Sequence, residues 1–457
     1  MVYSSLLFIY GFLPISLLIY YVTPKKLRNA VLLLLSMVFC GLISLYFLVF
    51  MAVYTLINYT AGILTERKNK IAAAIPLAGG IIFDLTAILV FRTEYFSWLK
   101  DIIRAPEGFF PVGISFFTLS AVGTLIDVYC GRIKAERNLI QFGLYFLFFP
   151  KLLMGPVLRY GSFSKILSRR KCGLNEIGVG FTIFVKGLAK KIIVADNLYM
   201  LYMAVKSIEV TEMPALTAWL GIIAYLLCLY FTLSGFADMG TGIGYCFGIR
   251  LPQSFSYPMF STKIRYFTAR WHMQVTSWFR RYVTRPLCSV SRSRIYQKLI
   301  FIIVWAIAGY WYGFSVNGII WGLILGTAIV IENRFSSTKI LRATSVLYTF
   351  LIVLVCFVFF SGESLEYSLR YMFAMIGGSG LLADTLLLHL LKSYTVIILI
   401  AVYSSTNLFR NMIMRSGKTK LGAVFTAASP LVVLLMFIIC TAFISFSGSS
   451  EMMLMKL

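Results

Sequence analysis

Residues 30–64 read AVLLLLSMVFCGLISLYFLVFMAVYTLINYTAGIL, without one charged side chain. A membrane-crossing helix needs about 20 residues, so this run is too long for one crossing and has the length for two. In lipid a backbone must satisfy its own polar groups, which leaves helices as the form such a run takes. Gly41 and nearby Ser44 offer the break. The run is flanked by TPKKLR (23–28) and TERKNK (65–70). A hairpin returns the chain to the side it left, so both basic loops share one face, and positive charge marks that face as cytoplasmic. The preceding run, Tyr3 to Val22, has no Lys or Arg before it. That predicts an outside N-terminus and speaks against a signal peptide with a basic leading region.

A fourth crossing is expected over 71–91, which carries Pro76 and Asp84. Further apolar runs lie at 110–129, 139–160, 176–194, 214–248, 299–313, 317–332, 345–360, 394–408 and 421–446. Residues 110–160 are interrupted by Pro111, Gly113, Pro150, Gly155 and Pro156, with Lys151 inside FFPKLLMGPVLRY. Irregular backbone at membrane depth needs protein or water around it, so this stretch reads as re-entrant core beside a cavity. Lys151 there is expected to pair with a carboxylate or carbonyl. The expected fold is an all-α polytopic membrane protein, one domain over 1–457. It has about eleven crossings plus re-entrant segments around a central tunnel.

Charge and cysteine exclude other classes. Charged residues make up 13% of the chain, against about 25% in a soluble protein. The net charge of +25 sits between apolar runs, where lipid headgroups and topology account for it and nucleic acid is not needed. Eight scattered cysteines without a CxxC predict neither a disulfide framework nor a metal site.

The stretch 265–287, RYFTARWHMQVTSWFRRYVTRPL, holds five arginines and His272, one of two histidines. Phe267, Trp271, Val275, Trp278 and Tyr282 recur at helical spacing, which predicts one helix with an aromatic face. Three readings are open: a catalytic site, a lipid-surface anchor with His272 near the helix edge, or packing. His389, in LLLHLLKS, reads as structural. Asp238, in SGFADMGTGIG, either lines a tunnel or caps a helix end. Trp278 and Trp321 read as packing.

The ordered set FFPVGISFFTLSAVGTLIDVYCG (109–131), YFLFFPKLLMGPVLRY (145–160), KKIIVADNL (190–198), SGFADMGTGIGYCFGIRLP (234–252), RWHMQVTSWFRRYVTRPL (270–287) and GYWYGFSVNGIIWGL (309–323) resembles the membrane-bound O-acyltransferase superfamily. The likeness falls nearest the branch holding the alginate O-acetyltransferase membrane subunit. It implies acyl transfer from a thioester to a hydroxyl within a tunnel through the membrane. It also implies a multi-pass place in the cytoplasmic membrane and acetyl-CoA or another acyl thioester as donor, with no tightly bound cofactor. The implied partners are lipid, a polysaccharide acceptor and an extracytoplasmic acyltransferase or hydrolase-like enzyme. Arg270, Trp271, His272, Asp238, Lys151, Trp311 and Asn317 match its motifs.

One position departs from the pattern. Where the family has a histidine between Trp and Gly, this chain reads Trp311-Tyr312-Gly313. An unperturbed tyrosine titrates about 3.5 units above histidine, which corresponds to about 5 kcal/mol in forming the base. Three outcomes stand: His272 acts as base with Tyr312 as hydrogen-bond donor, the chain only binds or passes acyl groups, or it is a catalytically degenerate scaffold. A transporter is a weaker reading, since broken helices mark those too.

Overall fold

The computed structural model describes residues 2–93, 96–102, 105–106, 109–334, 342–407 and 420–447. Among the described residues all regular structure is helical. Seven helices have the length and apolar content of a membrane span: Leu45–Thr65, Lys70–Arg92, Ala215–Cys246, Arg294–Gly313, Thr344–Ser361, Thr385–Ser404 and Ala428–Phe446. Leu7–Val22, Arg28–Ile43, Ile114–Tyr129 and Val316–Glu332 are shorter apolar helices. Leu18, Leu45, Ile71 and Leu399 point outward, as lipid-facing side chains do. The chain is an all-α, multi-pass membrane protein.

One boundary falls where the sequence expects it and another does not. The long run breaks at Ser44, which is extended and accepts a hydrogen bond from Phe47 N at 2.9 Å; Gly41 stays inside the helix before it. A serine cap satisfies the new helix end where a glycine cannot. The expected run 394–408 begins earlier, at Thr385, because Asp384 accepts from Leu387 N at 2.9 Å. His389 therefore lies on that helix, exposed.

The chain forms two compact units, Met1–Val185 with Phe236–Gln253, and Lys186–Gly235 with Ser254–Leu457. The first has an aromatic core in which the rings of Phe8, Phe12, Phe39 and Phe149 meet at centroid distances of 5.3–6.3 Å. One of its buried carboxylates, Asp84, accepts from Asn58 Nδ2 at 2.9 Å across two neighbouring helices. The expected break in 139–160 is present: Leu139–Leu147 ends at Phe148, and a short turn, Phe149–Leu152, follows.

Lys151 corrects an expectation. Among the described residues its Nζ makes no hydrogen bond, and it lies 3.8 Å from the Tyr145 ring centroid. The ring quadrupole takes the place of the expected carboxylate or carbonyl. For Asp238 one of the two expected readings is excluded. It sits half-buried inside Ala215–Cys246, eight positions short of the helix end, so it is no cap.

The first unit gathers its basic loops. Arg28 lies over Tyr20 and Tyr21, the Tyr21 hydroxyl donates to Cys246 O at 2.9 Å, and Arg170 reaches Asn29 at 2.5 Å. Glu66 pairs with Arg137 at 3.0 Å, and Lys70 donates to Tyr129 O at 2.5 Å. Helix Tyr160–Ser168 joins these two groups, its Tyr160 bonded to Glu136. At nine residues it is about 14 Å long, too short to cross a membrane. Both loops flanking 30–64 thus lie at one end of this unit.

In the second unit Lys191 is buried and paired with Asp196 within the turn of a wide helical segment, Lys190–Ala195. Helices Arg294–Gly313 and Val316–Arg334 pack backbone to backbone. A Cβ on Gly309 would stand 2.1 Å from Gly318 O, and one on Gly318 would stand 2.5 Å from Gly309 O. Small residues at such a contact let helices approach where lipid offers no hydrophobic drive.

Candidate active site

The predicted single helix over 265–287 is in fact broken at its histidine. Helix Ile264–Arg270 ends at Trp271, which is extended. His272 follows with φ 44° and ψ 53°, and helix Met273–Phe279 starts after it. The aromatic periodicity ran through the break, because Trp271 and Val275 are both buried on either side of it. The periodicity was therefore burial on two helices and not the face of one.

Left-handed backbone costs a non-glycine residue about 1–3 kcal/mol, though histidine is among those that visit it. Neighbouring strands of chain hold it here. Ser256 N donates to Arg270 O at 3.0 Å and Met273 N donates to Ser254 O at 2.9 Å, one bond on each side of His272. The His272 carbonyl accepts from Val275 N and Thr276 N at 2.9 and 3.2 Å, which starts the second helix. The first helix lacks a cap of its own, and Glu332 supplies one by accepting from Ile264 N at 3.0 Å and Arg265 N at 3.3 Å.

The His272 imidazole is 5% exposed. Phe255 meets it edge-on, with centroids 4.9 Å apart at 90°. Tyr312 meets it from another helix, with centroids 6.1 Å apart, also at 90°. Burial pushes the imidazole down to about 3. Burial disfavours its charged form, so the imidazole is held neutral.

Tyr312 stands in the last turn of Arg294–Gly313. That helix stops at Phe314, another left-handed residue, with φ 45°. The ring is partly exposed, and Trp311, Trp321 and Phe360 surround it at 4.9, 5.5 and 6.5 Å. The Gly309–Gly318 contact fixes where this helix end lies.

The other motif residues separate. Trp271 is packed among Phe255, Phe267 and Phe357 at 5.4–5.5 Å. Trp321 is buried beside Phe357 and Phe360. Arg270 is exposed, and its carbonyl holds Ser256. Trp311 lies against Phe279 at 6.0 Å. Asn317 is buried and committed to structure, its Nδ2 donating to Gly362 O at 2.9 Å and Ser368 Oγ at 3.2 Å. Lys151 and Asp238 belong to the first unit. Sequence reasoning missed Phe255 and Glu332. Neither sits in a pattern of its own; each is placed by the chain it touches.

This arrangement is a multi-pass helical protein with a buried, neutral histidine held at a helix break beside a tyrosine. The family model of MBOAT, membrane-bound O-acyltransferase family, matches residues 133–368. The chain is 32% identical over 405 residues to "Probable alginate O-acetylase AlgI" of Azotobacter vinelandii, covering 84% of this chain and 80% of the relative. It is 27% identical to "Peptidoglycan O-acetyltransferase" of Helicobacter pylori, covering 83% and 80%. It is 24% identical to "Teichoic acid D-alanyltransferase" of Bacillus subtilis, covering 62% and 78%. The chain belongs to the membrane-bound O-acyltransferase family, and is a membrane acyltransferase by that descent.

Proposed function

We propose that the protein transfers an acetyl group from a cytoplasmic thioester, acetyl-CoA or an acyl carrier, to a hydroxyl outside the cytoplasmic membrane. The acceptor is a cell-surface polysaccharide, or a partner acyltransferase that passes the group on. The perpendicular approach of His272 and Tyr312 carries this reading, because it sets a neutral base and a hydroxyl donor against one another.

In the step proposed, His272 takes the proton of the acceptor hydroxyl as its oxygen attacks the thioester carbonyl. The Tyr312 hydroxyl donates a hydrogen bond to the oxyanion that forms. Collapse breaks the carbon–sulfur bond, and the thiolate takes the proton back from the imidazolium. A buried imidazolium is costly alone, and the adjacent oxyanion offsets that cost while it exists. Tyr312 serves here as donor and leaves proton transfer to His272.

The test uses purified protein in lipid with acetyl-CoA labelled in its acetyl group. Thioester turnover or a transferable acyl adduct that disappears in His272→Ala is the expected result. Equal turnover in wild type and His272→Ala would overturn the mechanism, and no turnover with any thioester would leave the scaffold reading in its place.

A further inference from the structure

Lys165 and Arg169, one turn apart on and just after helix Tyr160–Ser168, converge with Lys171 and Arg250 around a cavity of about 280 Å³ in the first unit. Ile166 and Gly248 complete its wall. The two segments are far apart in sequence, and the backbone is shaped to bring them together. Gly248 has φ 77°, and a Cβ there would stand 2.3 Å from Lys171 O and 2.9 Å from Cys172 Sγ. No other residue fits that approach without moving the chain that carries Lys171.

Charge balance sets this cavity apart from an ordinary basic loop. Among the described residues, no carboxylate lies within 4 Å of Lys165, Arg169 or Lys171. Only Arg250 has one, Glu176 at 3.4 Å. Four cations therefore face a concave space against one carboxylate, with Arg28 and Arg170 nearby at the same end. Like charges held together repel, so such a cluster is costly until an anion enters. Arginine and lysine together, around a space this size, match the geometry of phosphate oxygens.

We propose that the Lys165–Arg169–Lys171–Arg250 cavity is a binding site for a phosphate-bearing group. Two sources carry that chemistry to a basic membrane face: the phosphates of a nucleotide-bearing thioester, and the headgroup of an anionic phospholipid. The nucleotide source rests on the thioester donor proposed above and the lipid source does not; neither His272 nor Tyr312 lines this cavity.

Wild-type protein and Lys165→Gln/Arg169→Gln/Lys171→Gln are compared in nanodiscs of neutral phosphatidylcholine. Coenzyme A is titrated calorimetrically in one arm. In the other, retained phosphatidylglycerol is counted by native mass spectrometry after exchange. A control, Lys25→Gln/Lys26→Gln/Lys68→Gln, removes three exposed cations outside the cavity. Saturable binding of one probe, weakened at least about tenfold in the cavity variant and kept in the control, is the expected result. Loss in the coenzyme A arm identifies the nucleotide, and loss in the phosphatidylglycerol arm identifies the lipid. Retained helicity and elution position exclude unfolding; if they are lost, the same comparison is made with Arg169→Gln alone. No saturable binding in either arm, or equal weakening in cavity variant and control, would overturn the site.

Discussion

Asp84 in the first unit and His272 in the second are buried polar side chains in different settings. In the first, Asp84 sits in mid-helix, meets Asn58 and is fully enclosed. In the second, His272 sits at a helix break and Tyr312 one turn from a helix end. A group in mid-helix is held by regular packing and serves the packing. A group at a break lies where the helical hydrogen-bond ladder is interrupted, and irregular backbone within a membrane protein needs a protein-lined or wet surrounding. In the proposed mechanism the reactive groups are the two at helix ends, and Asp84, though buried, has no part in it.

The largest effect that sharpens this contrast is His272→Ala. Loss of a general base should lower turnover by about 10²–10⁴-fold. Asp84→Asn, which keeps shape and can still meet Asn58, should leave turnover within a few fold. Labelled-acetyl turnover of both variants in the same lipid decides between them, and a comparable fall in each would erase the distinction.

Next comes Tyr312. Removing one oxyanion donor should cost about 10²–10³ in turnover, so Tyr312→Phe should fall in that range. Tyr312→His should also fall if tyrosine is the working donor. A rise in Tyr312→His would instead mean a degraded site, with the comparison reversed in favour of a lost histidine. Rates of the three proteins at several pH values separate the cases.

A smaller effect concerns how the second unit places Tyr312. Gly318→Val puts side-chain atoms where Gly309 O already lies, 2.5 Å from the first added carbon. Overpacking of this kind costs about 1–3 kcal/mol. The melting temperature in detergent should fall, while Gly62→Ala, with open space at its Cβ, should change it little.

The smallest concerns pH. His272 is held below its ordinary value by burial, to about 3. Above its unfolded value of about 6.5 both states are neutral and the group is indifferent. Below that, the unfolded chain binds a proton that the folded chain refuses. Stability is therefore lost as pH falls from about 6.5 toward 3. His272→Gln should flatten that part of an acid-denaturation curve. A curve of unchanged slope would show that the imidazole charges within the fold.

Much of the fold was legible because lipid permits so few backbones. An uncharged run of this length can only be helices. The caps were legible only in part. Ser44 competed with Gly41 as the break, and which one holds depends on whether a side-chain oxygen reaches the next free amide. Lys151 was placed at membrane depth by its neighbours in sequence, but its partner, the Tyr145 ring, depends on how a broken helix folds back.

The sequence by itself determined the class of protein, the crossings, the basic loops and the motifs that mark the family. These follow from composition and local order, where each residue speaks for its own neighbourhood. Only the tertiary structure decided that His272 lies in a break and not on a helix face, that the 254–256 segment holds that break, and that Glu332 caps the helix before it. It alone brought Tyr312 to the histidine from forty positions away, on a helix end fixed by two glycines. The reason is physical: a left-handed residue is affordable only when distant chain satisfies the amides on either side of it, and no local pattern records which distant chain that is.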